Sequence, residues 1–451
     1  MSARDRVTLA LVAACAVAGA AACGVACAAP ARAAPGHAKP PKATEMSYYY
    51  DLLDQAIARP ITRAADPALG VRALTRHPRE AVNADADDQV RLPSTWWQPR
   101  VGFRGVTPEQ LAHGPGPGTG PAPGPFTITK AKSQGVTPGF YITDANGDKF
   151  IVKFDPPGLE ELGSGADVVA SVLMWGAGYN VPDDAIFHFR REDARIGDKV
   201  EFTPAHGRKH VMQPSDLDAM LSHVAQGPDG RYRAVASRLI EGKPLGPFRY
   251  EGRRADDPED MIPHEHRREL RGLWVVAAWL SHTDVRAPNT LDMWETSGGR
   301  SFVRHYLIDF NGALGAGSIG EKSLQSGTEY FVDWGVMAKH LVPLGLVPFQ
   351  WEAFKDPELP CLGRFDVATF DPDGWRPDYP NPAFDQRTLR DVRWGARIVA
   401  GFDDELIRAA VARGEYSDPR CSADLAAVLI GRRDKIVHRW LDGMPRRTAA
   451  R

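Results

Sequence analysis

Residues 270–289 constrain the architecture more than any other stretch of the chain. Leu270, Leu273, Trp274, Ala277 and Leu280 recur at helical spacing, which specifies a buried helix. That helix ends near Ser281 and delivers the loop His282-Thr283-Asp284-Val285-Arg286-Ala287-Pro288-Asn289. After one short hairpin-like segment, the apolar pair Leu307-Ile308 runs into Asp309-Phe310-Asn311. Taken singly, each polar residue suits a commonplace role. Asp284 suits a helix end or turn, Asn289 after Pro288 a turn, Arg286 a surface cation, and Asp309 a strand exit. Their conjunction is chemically apt. One carboxylate can orient a hydroxyl, a cation can steady a phosphate, and an amide oxygen with a second carboxylate can hold a divalent metal.

Upstream lies a second ordered set. Residues 140–143 and 149–154 read as two strands joined by the turn Asp144-Ala145-Asn146-Gly147. Lys153 sits between Val152 and Phe154 and therefore faces the opposite side of the strand from them. A lysine in such a place is ordinarily a solvated edge residue. The preceding loop, residues 133–139, contains Gly135 and Gly139, which do not complete a G-x-G-x-x-G pattern. A helix is expected over 165–177, with Val169, Val172, Leu173 and Ala177 on one face, Gly178 as a left-handed cap and Pro182 beyond it. Asp167 near its start is the candidate partner for Lys153, and equally suits a first-turn acid complementing the helix dipole. Glu160 and Glu161 are the fallback partners. Residues 233–240 alternate as a strand, and 241–246 follow as a connecting segment.

The N-terminus carries Arg4 and Arg6 ahead of an alanine-rich apolar run from Val7 to about Ala29, then small residues and prolines. This pattern is expected to be a secretory signal over 1–34, with an uncleaved anchor as the alternative. The continued apolar run after Cys15 argues against lipid attachment there. Cys15, Cys23 and Cys27 fall within that segment, leaving Cys361 and Cys421 either to pair or to stay as separate thiols. A net charge of −2 gives no basis for expecting nucleic acid or an anionic membrane surface as a partner. Residues 35–112 form an extension with few strong signals, of which 48–58 suits a helix, 85–91 is acidic and solvated, and Trp96-Trp97 packs onto the main body. Residues 113–126 are a Gly/Pro-rich linker or exposed loop. Helical patterns recur over 330–346, 389–412 and 425–440, while 360–382 reads as a long ordered loop.

The order of Gly-containing loop, strand, turn, lysine-bearing strand, helix, buried helix and Asp-bearing loop resembles the atypical protein-kinase-like superfamily. That superfamily includes HipA-type and phosphoinositide kinases and, more distantly, secretory-pathway kinases. The window at 282–289 resembles H-R-D-x-K-x-x-N, and Asp309-Phe310-Asn311 resembles D-F-G. The resemblance implies a bilobal α+β fold, with a β-rich N-lobe over 127–245 and a mostly helical C-lobe over 246–451. It implies Asp284 as catalytic base and Arg286 as the phosphate-steadying residue. Asn289 and Asp309 would be the metal ligands, and Lys153, Asp167, Gly135 and Gly139 would hold the nucleotide. ATP and Mg2+ are the implied cofactors, with a hydroxyl on a protein or small molecule as acceptor. Thr283 replaces the arginine of H-R-D, Asn311 replaces the glycine of D-F-G, and no A-P-E follows. The alternatives are a catalytically silent exported module that binds a nucleotide or partner, favoured by the scarcity of ATP outside the cytoplasm, and nucleotidyl rather than phosphoryl transfer.

Overall fold

The computed structural model describes residues 39–46, 51, 53–58, 79–132, 139–204, 208–317, 320–333, 336, 350–353, 355 and 358–442. The predicted signal segment with its three cysteines, Gly135, and most of the helical pattern over 330–346 lie outside the described residues.

The smaller lobe is built on a six-stranded sheet in the order β4-β8-β3-β2-β1-β5. Its members are β1 (Phe126–Ala131), β2 (Gly139–Thr143), β3 (Lys149–Lys153), β4 (Asp184–Phe189), β5 (Ala194–Ile196) and β8 (Tyr232–Arg238). A small ribbon, β6 (Glu201–Phe202) with β7 (His210–Val211), lies between β5 and β8 in the chain. The predicted hairpin forms β2 and β3, because Asp144 Oδ1 accepts the backbone N–H groups of Asn146 (2.9 Å) and Asp148 (2.8 Å) and closes the turn. Alternate residues then share one face. Phe126, Ile128, Phe140, Ile142, Phe150 and Val152 are buried together with Leu217 and Leu221 of helix α3 (Pro214–Leu221).

Helix α2 (Leu162–Gly176) follows β3 and is buried along almost its whole length. Its end is set by Gly178 at φ +106°, where a Cβ would lie 2.1 Å from Trp97 Nε1. Only glycine fits. That indole donates to the Ala177 carbonyl at 2.8 Å. After β8 the chain crosses to a three-stranded sheet of β9 (Lys243–Gly246), β10 (Thr290–Ser297) and β11 (Arg300–Leu307). The larger lobe is helical: α4 (Arg268–Trp279), α5 (Pro382–Asp385), α6 (Leu389–Ala400), α7 (Asp404–Ala412) and α8 (Pro419–Trp440). The pattern over 389–412 is two helices, since Asp403 caps α7 by accepting from Leu406 N at 2.8 Å. The expected bilobal α+β fold is the one observed.

The extension is woven into the body. Trp96 stacks on His305 with ring centroids 3.5 Å apart, and short helix α1 (Pro108–His113) buries Leu111. The acidic run at 85–91 is not merely solvated, because Asp88 pairs with Arg268 (2.6 Å), Arg390 (3.1 Å) and Arg397 (3.3 Å). Residues 114–125 form neither helix nor strand and lie against the smaller lobe. Gly118 N donates to Asp183 (3.2 Å), Ala122 N to Asp144 (2.8 Å), and Arg413 to the Gly118 carbonyl (2.7 Å). Cys361 and Cys421 form a disulfide that ties the 358–382 segment to α8. Among the described residues, no helix is long and apolar enough to cross a membrane.

Candidate active site

Three of the expected residues meet at one point. Lys153, the last residue of β3, is buried and places Nζ 2.8 Å from Asp167 Oδ2 on α2 and 2.9 Å from Asp309 Oδ1. Asp167 is enclosed, with 1% of its side chain exposed, whereas 42% of the Asp309 side chain is exposed. The other oxygen of Asp167 accepts the Phe310 backbone N–H at 3.0 Å, so one carboxylate fixes both the lysine and the Asp309-Phe310 corner. Asp309 itself holds φ +64°, an uncommon backbone for a residue with a side chain. Glu160 and Glu161 are engaged elsewhere, accepting from Gly158 N and Ser417 N.

Charge and burial compete within this group. Burial alone would lower the Lys153 pKa, but Asp167 and Asp309 outweigh it and hold the ammonium charged. Burial raises Asp167, with Lys153 opposing. Burial also works against the Asp309 carboxylate, but Lys153 and then Lys132 bring its pKa below the usual range. Asp184, the first residue of β4, is a further buried acid of this cluster. Burial, reinforced by the charge of Asp167, pushes it up to about 8.

A cleft of about 320 Å3 opens above Lys153 and Asp309. Tyr141, Ile151 and Ile240 line it from the sheet side, and Leu291 and Ile308 from the larger lobe. Lys130 and Lys132 add cationic charge. Burial and the nearby Lys153 lower the Lys132 pKa. The volume falls at the small end of the range for small-molecule sites, about 300–1,000 Å3. Gly139 pairs with Lys153 across the β2–β3 ladder, and a Cβ there would lie 2.2 Å from the Val152 carbonyl oxygen. Its lack of a side chain thus lets the strands close beside the lysine.

The loop after α4 forms a second rigid group. Asp284 Oδ1 accepts from Arg286 Nε (2.6 Å), while Asn289 Nδ2 donates to Asp284 Oδ2 (2.8 Å) and to its carbonyl (2.9 Å). The 360–382 segment supports this loop from outside. Asp378 accepts from Thr283 Oγ1 and Lys322 Nζ, both at 2.8 Å, its N–H donates to the Thr283 carbonyl, and Asn381 donates to the Val285 carbonyl. Phe310 is fully buried with its ring 5.3 Å from that of His282. Burial pushes the His282 imidazole down to about 4, so it is neutral near pH 7. Arg286 does not line the cleft with Lys153. Its Nη1 lies 3.3 Å from the buried Asp51, and it borders a second cavity.

Asp309 and Asn289 offer one carboxylate and one amide oxygen, since the Asn289 nitrogen is committed to Asp284. Among the described residues no group of three His, Cys, Asp or Glu side chains could hold a metal. A divalent ion that keeps several waters and binds phosphates would need only one or two such protein oxygens. Lys132, Asp184, Asp378 and Lys322 escaped the sequence reading. Only Lys132 carried a signal there, through its alternation with Lys130 at the end of β1.

No family model matches the chain, and no curated protein matches it in sequence. Among solved structures, a Helicobacter pylori proinflammatory kinase, CtkA, matches with 12% identity and a TM-score of 0.36 over 72% of this chain and 98% of that one. A Golgi casein kinase with Mn/ADP bound matches at 10% identity and 0.28, over 72% of this chain and 75% of that one. A second Golgi casein kinase structure matches at 10% and 0.26, over 72% and 76%. Likeness of this size does not place the chain in a family, and the site stands on its own geometry.

Proposed function

We propose that the protein is a phosphotransferase that moves the γ-phosphoryl group of ATP to a hydroxyl acceptor, with Mg2+ as cofactor. The observation that carries this reading is the buried Lys153 held between Asp167 and the half-exposed Asp309 at the base of the cleft. A purely structural ion pair would not need a second carboxylate open to a cavity beside three lysines. Lys153, with Lys130 and Lys132, attracts the triphosphate, while the apolar side chains of Ile151, Leu291 and Ile240 accept the base. Asp309 and Asn289 would hold Mg2+, which supplies charge neutralisation to the phosphates. Asp284, aligned by Arg286 and Asn289, orients the acceptor hydroxyl and takes its proton. The acceptor oxygen bonds to the γ-phosphorus as the bond from that phosphorus to the β–γ bridging oxygen breaks, and ADP leaves.

The test is thermal stabilisation by Mg-ATP in the wild type and in Asp309→Asn, followed by transfer of label from [γ-32P]ATP. A clear rise in melting temperature that Asp309→Asn loses is expected. Absence of any rise in the wild type refutes the nucleotide site. A rise without transfer to any acceptor identifies a nucleotide-binding module instead.

A further inference from the structure

We infer that the second cavity is the acceptor site and that the acceptor is a small, uncharged molecule rich in hydroxyl groups. This rests on the phosphotransfer reading above and names the substrate class of the same site. The cavity holds about 300 Å3 and adjoins the loop that carries Asp284. Val285, Arg286 and Ala287 form one wall, and Asp51, Asp54 and Gln55 from the N-terminal segment form another. Earlier in the same segment, Thr44 N donates to the Leu245 carbonyl of the three-stranded sheet at 2.9 Å.

The lining specifies the ligand. Gln55 is 7% exposed and its Oε1 has no hydrogen-bond partner. Buried polar atoms are rarely left so, and this one calls for a donor from a bound molecule. Tyr250, also on the wall, is buried, and burial together with the charge of Asp284 keeps its phenol protonated as a donor. Arg286, on the same wall, donates to Asp284 at 2.6 Å, which sets the cavity beside the proposed base. Asp51, Asp54 and Asp284 outnumber Arg249 and Arg286 around this cavity, and Arg286 is already held by Asp51 and Asp284, so no cation is left over for an anionic acceptor. Hydroxyl groups both donate and accept, which meets a wall of mixed donors and acceptors. An extended peptide needs an open groove, but here the buried Asp51–Arg286 pair, at 3.3 Å, fastens one wall to the other. In the transfer, the acceptor oxygen gains the bond to the γ-phosphorus, ADP departs with the bridging oxygen, and the hydroxyl proton passes to Asp284.

The full chain is incubated with Mg2+ and [γ-32P]ATP and, separately, with glycerol, myo-inositol, glucose or dephosphorylated casein. Label on at least one polyol, at tenfold or more over casein, is expected. Gln55→Leu should raise the KM for that polyol about tenfold, the loss of one hydrogen bond, with the KM for ATP within about twofold of wild type. Should Gln55→Leu fail to fold, Asp54→Asn at an exposed position carries the same measurement. Label on casein alone, or an unchanged polyol KM in the folded variant, overturns the inference. A Mg-ATP thermal shift on the same preparation separates the failures. A shift without polyol transfer sinks the acceptor assignment alone, and no shift sinks the nucleotide site and with it this inference.

Discussion

Asp167 and Asp309 touch the same lysine, yet their removal should have opposite signatures. Asparagine replaces each without change of volume, and at position 309 it tolerates the left-handed backbone. Asp167→Asn leaves Lys153 with one charged partner instead of two, inside a site where the lost carboxylate was 1% exposed. Removing one member of a buried pair costs about 3–5 kcal/mol, and the surviving contact to Asp309 at 2.9 Å places this case near about 3 kcal/mol. Asp309→Asn removes a carboxylate that is 42% exposed, so solvent screens the pair and the cost should stay below about 1 kcal/mol. Mg-ATP binding should respond the other way. Asp309→Asn abolishes the thermal shift, whereas Asp167→Asn weakens it and leaves it measurable. Urea denaturation of the three proteins, with and without Mg-ATP, reads both effects. Equal destabilisation by the two variants, or a harmless Asp167→Asn, refutes the reasoning, because the Asp167 carboxylate is enclosed and also holds the Phe310 N–H, whereas that of Asp309 is open to solvent.

The Cys361–Cys421 bond closes a separation of 60 residues, for which chain entropy gives about 4 kcal/mol. Replacing both cysteines by alanine should lower the unfolding free energy by about that amount, and added reductant should have no further effect on the variant. Among the buried groups that shape stability against pH, Asp184 and His282 act with opposite sign. The folded pKa of Asp184, pushed up to about 8, exceeds its unfolded value, so the native state binds the extra proton and stability falls as pH rises from 4 to 8. The folded pKa of His282, pushed down to about 4, lies below its unfolded value, so stability rises with pH between 4 and 6.5. Each slope is at most about 1.4 kcal/mol per pH unit. They should largely cancel below pH 6.5 and leave a decline above it that Asp184→Asn removes. A variant with an undiminished decline between pH 6.5 and 8 counts against this assignment.

Legibility in the sequence tracked the range over which a signal acts. The β2–β3 hairpin, α2 and α4 were readable because turn chemistry and apolar spacing operate within a dozen residues. Lys153, Asp167 and Asp309 were nameable as a set, since each lies at a fixed place on or beside such an element. Asp184 was not. It occupies the first position of β4, and its proximity to Asp167 arises only once β4 joins the sheet beside β8. Asp378 likewise meets Thr283 and Lys322 from the loop at 360–382, which has no regular pattern of its own.

Arg286 shows most clearly why type and spacing did not suffice. Position in the loop, two places after Asp284, suits a basic residue to the transferring phosphate. In the folded chain its guanidinium divides between Asp284 at 2.6 Å and Asp51 at 3.3 Å, the latter from a segment that precedes both lobes. A loop motif specifies which groups can act, while the direction in which a long, forked side chain points is decided by whichever carboxylate the rest of the fold brings near. With Asp51 in place, Arg286 is better suited to aligning Asp284 and walling the neighbouring cavity than to reaching into the cleft. Asp51→Asn should therefore change the acceptor KM more than the ATP KM, a split that steady-state kinetics with the labelled acceptor would read directly.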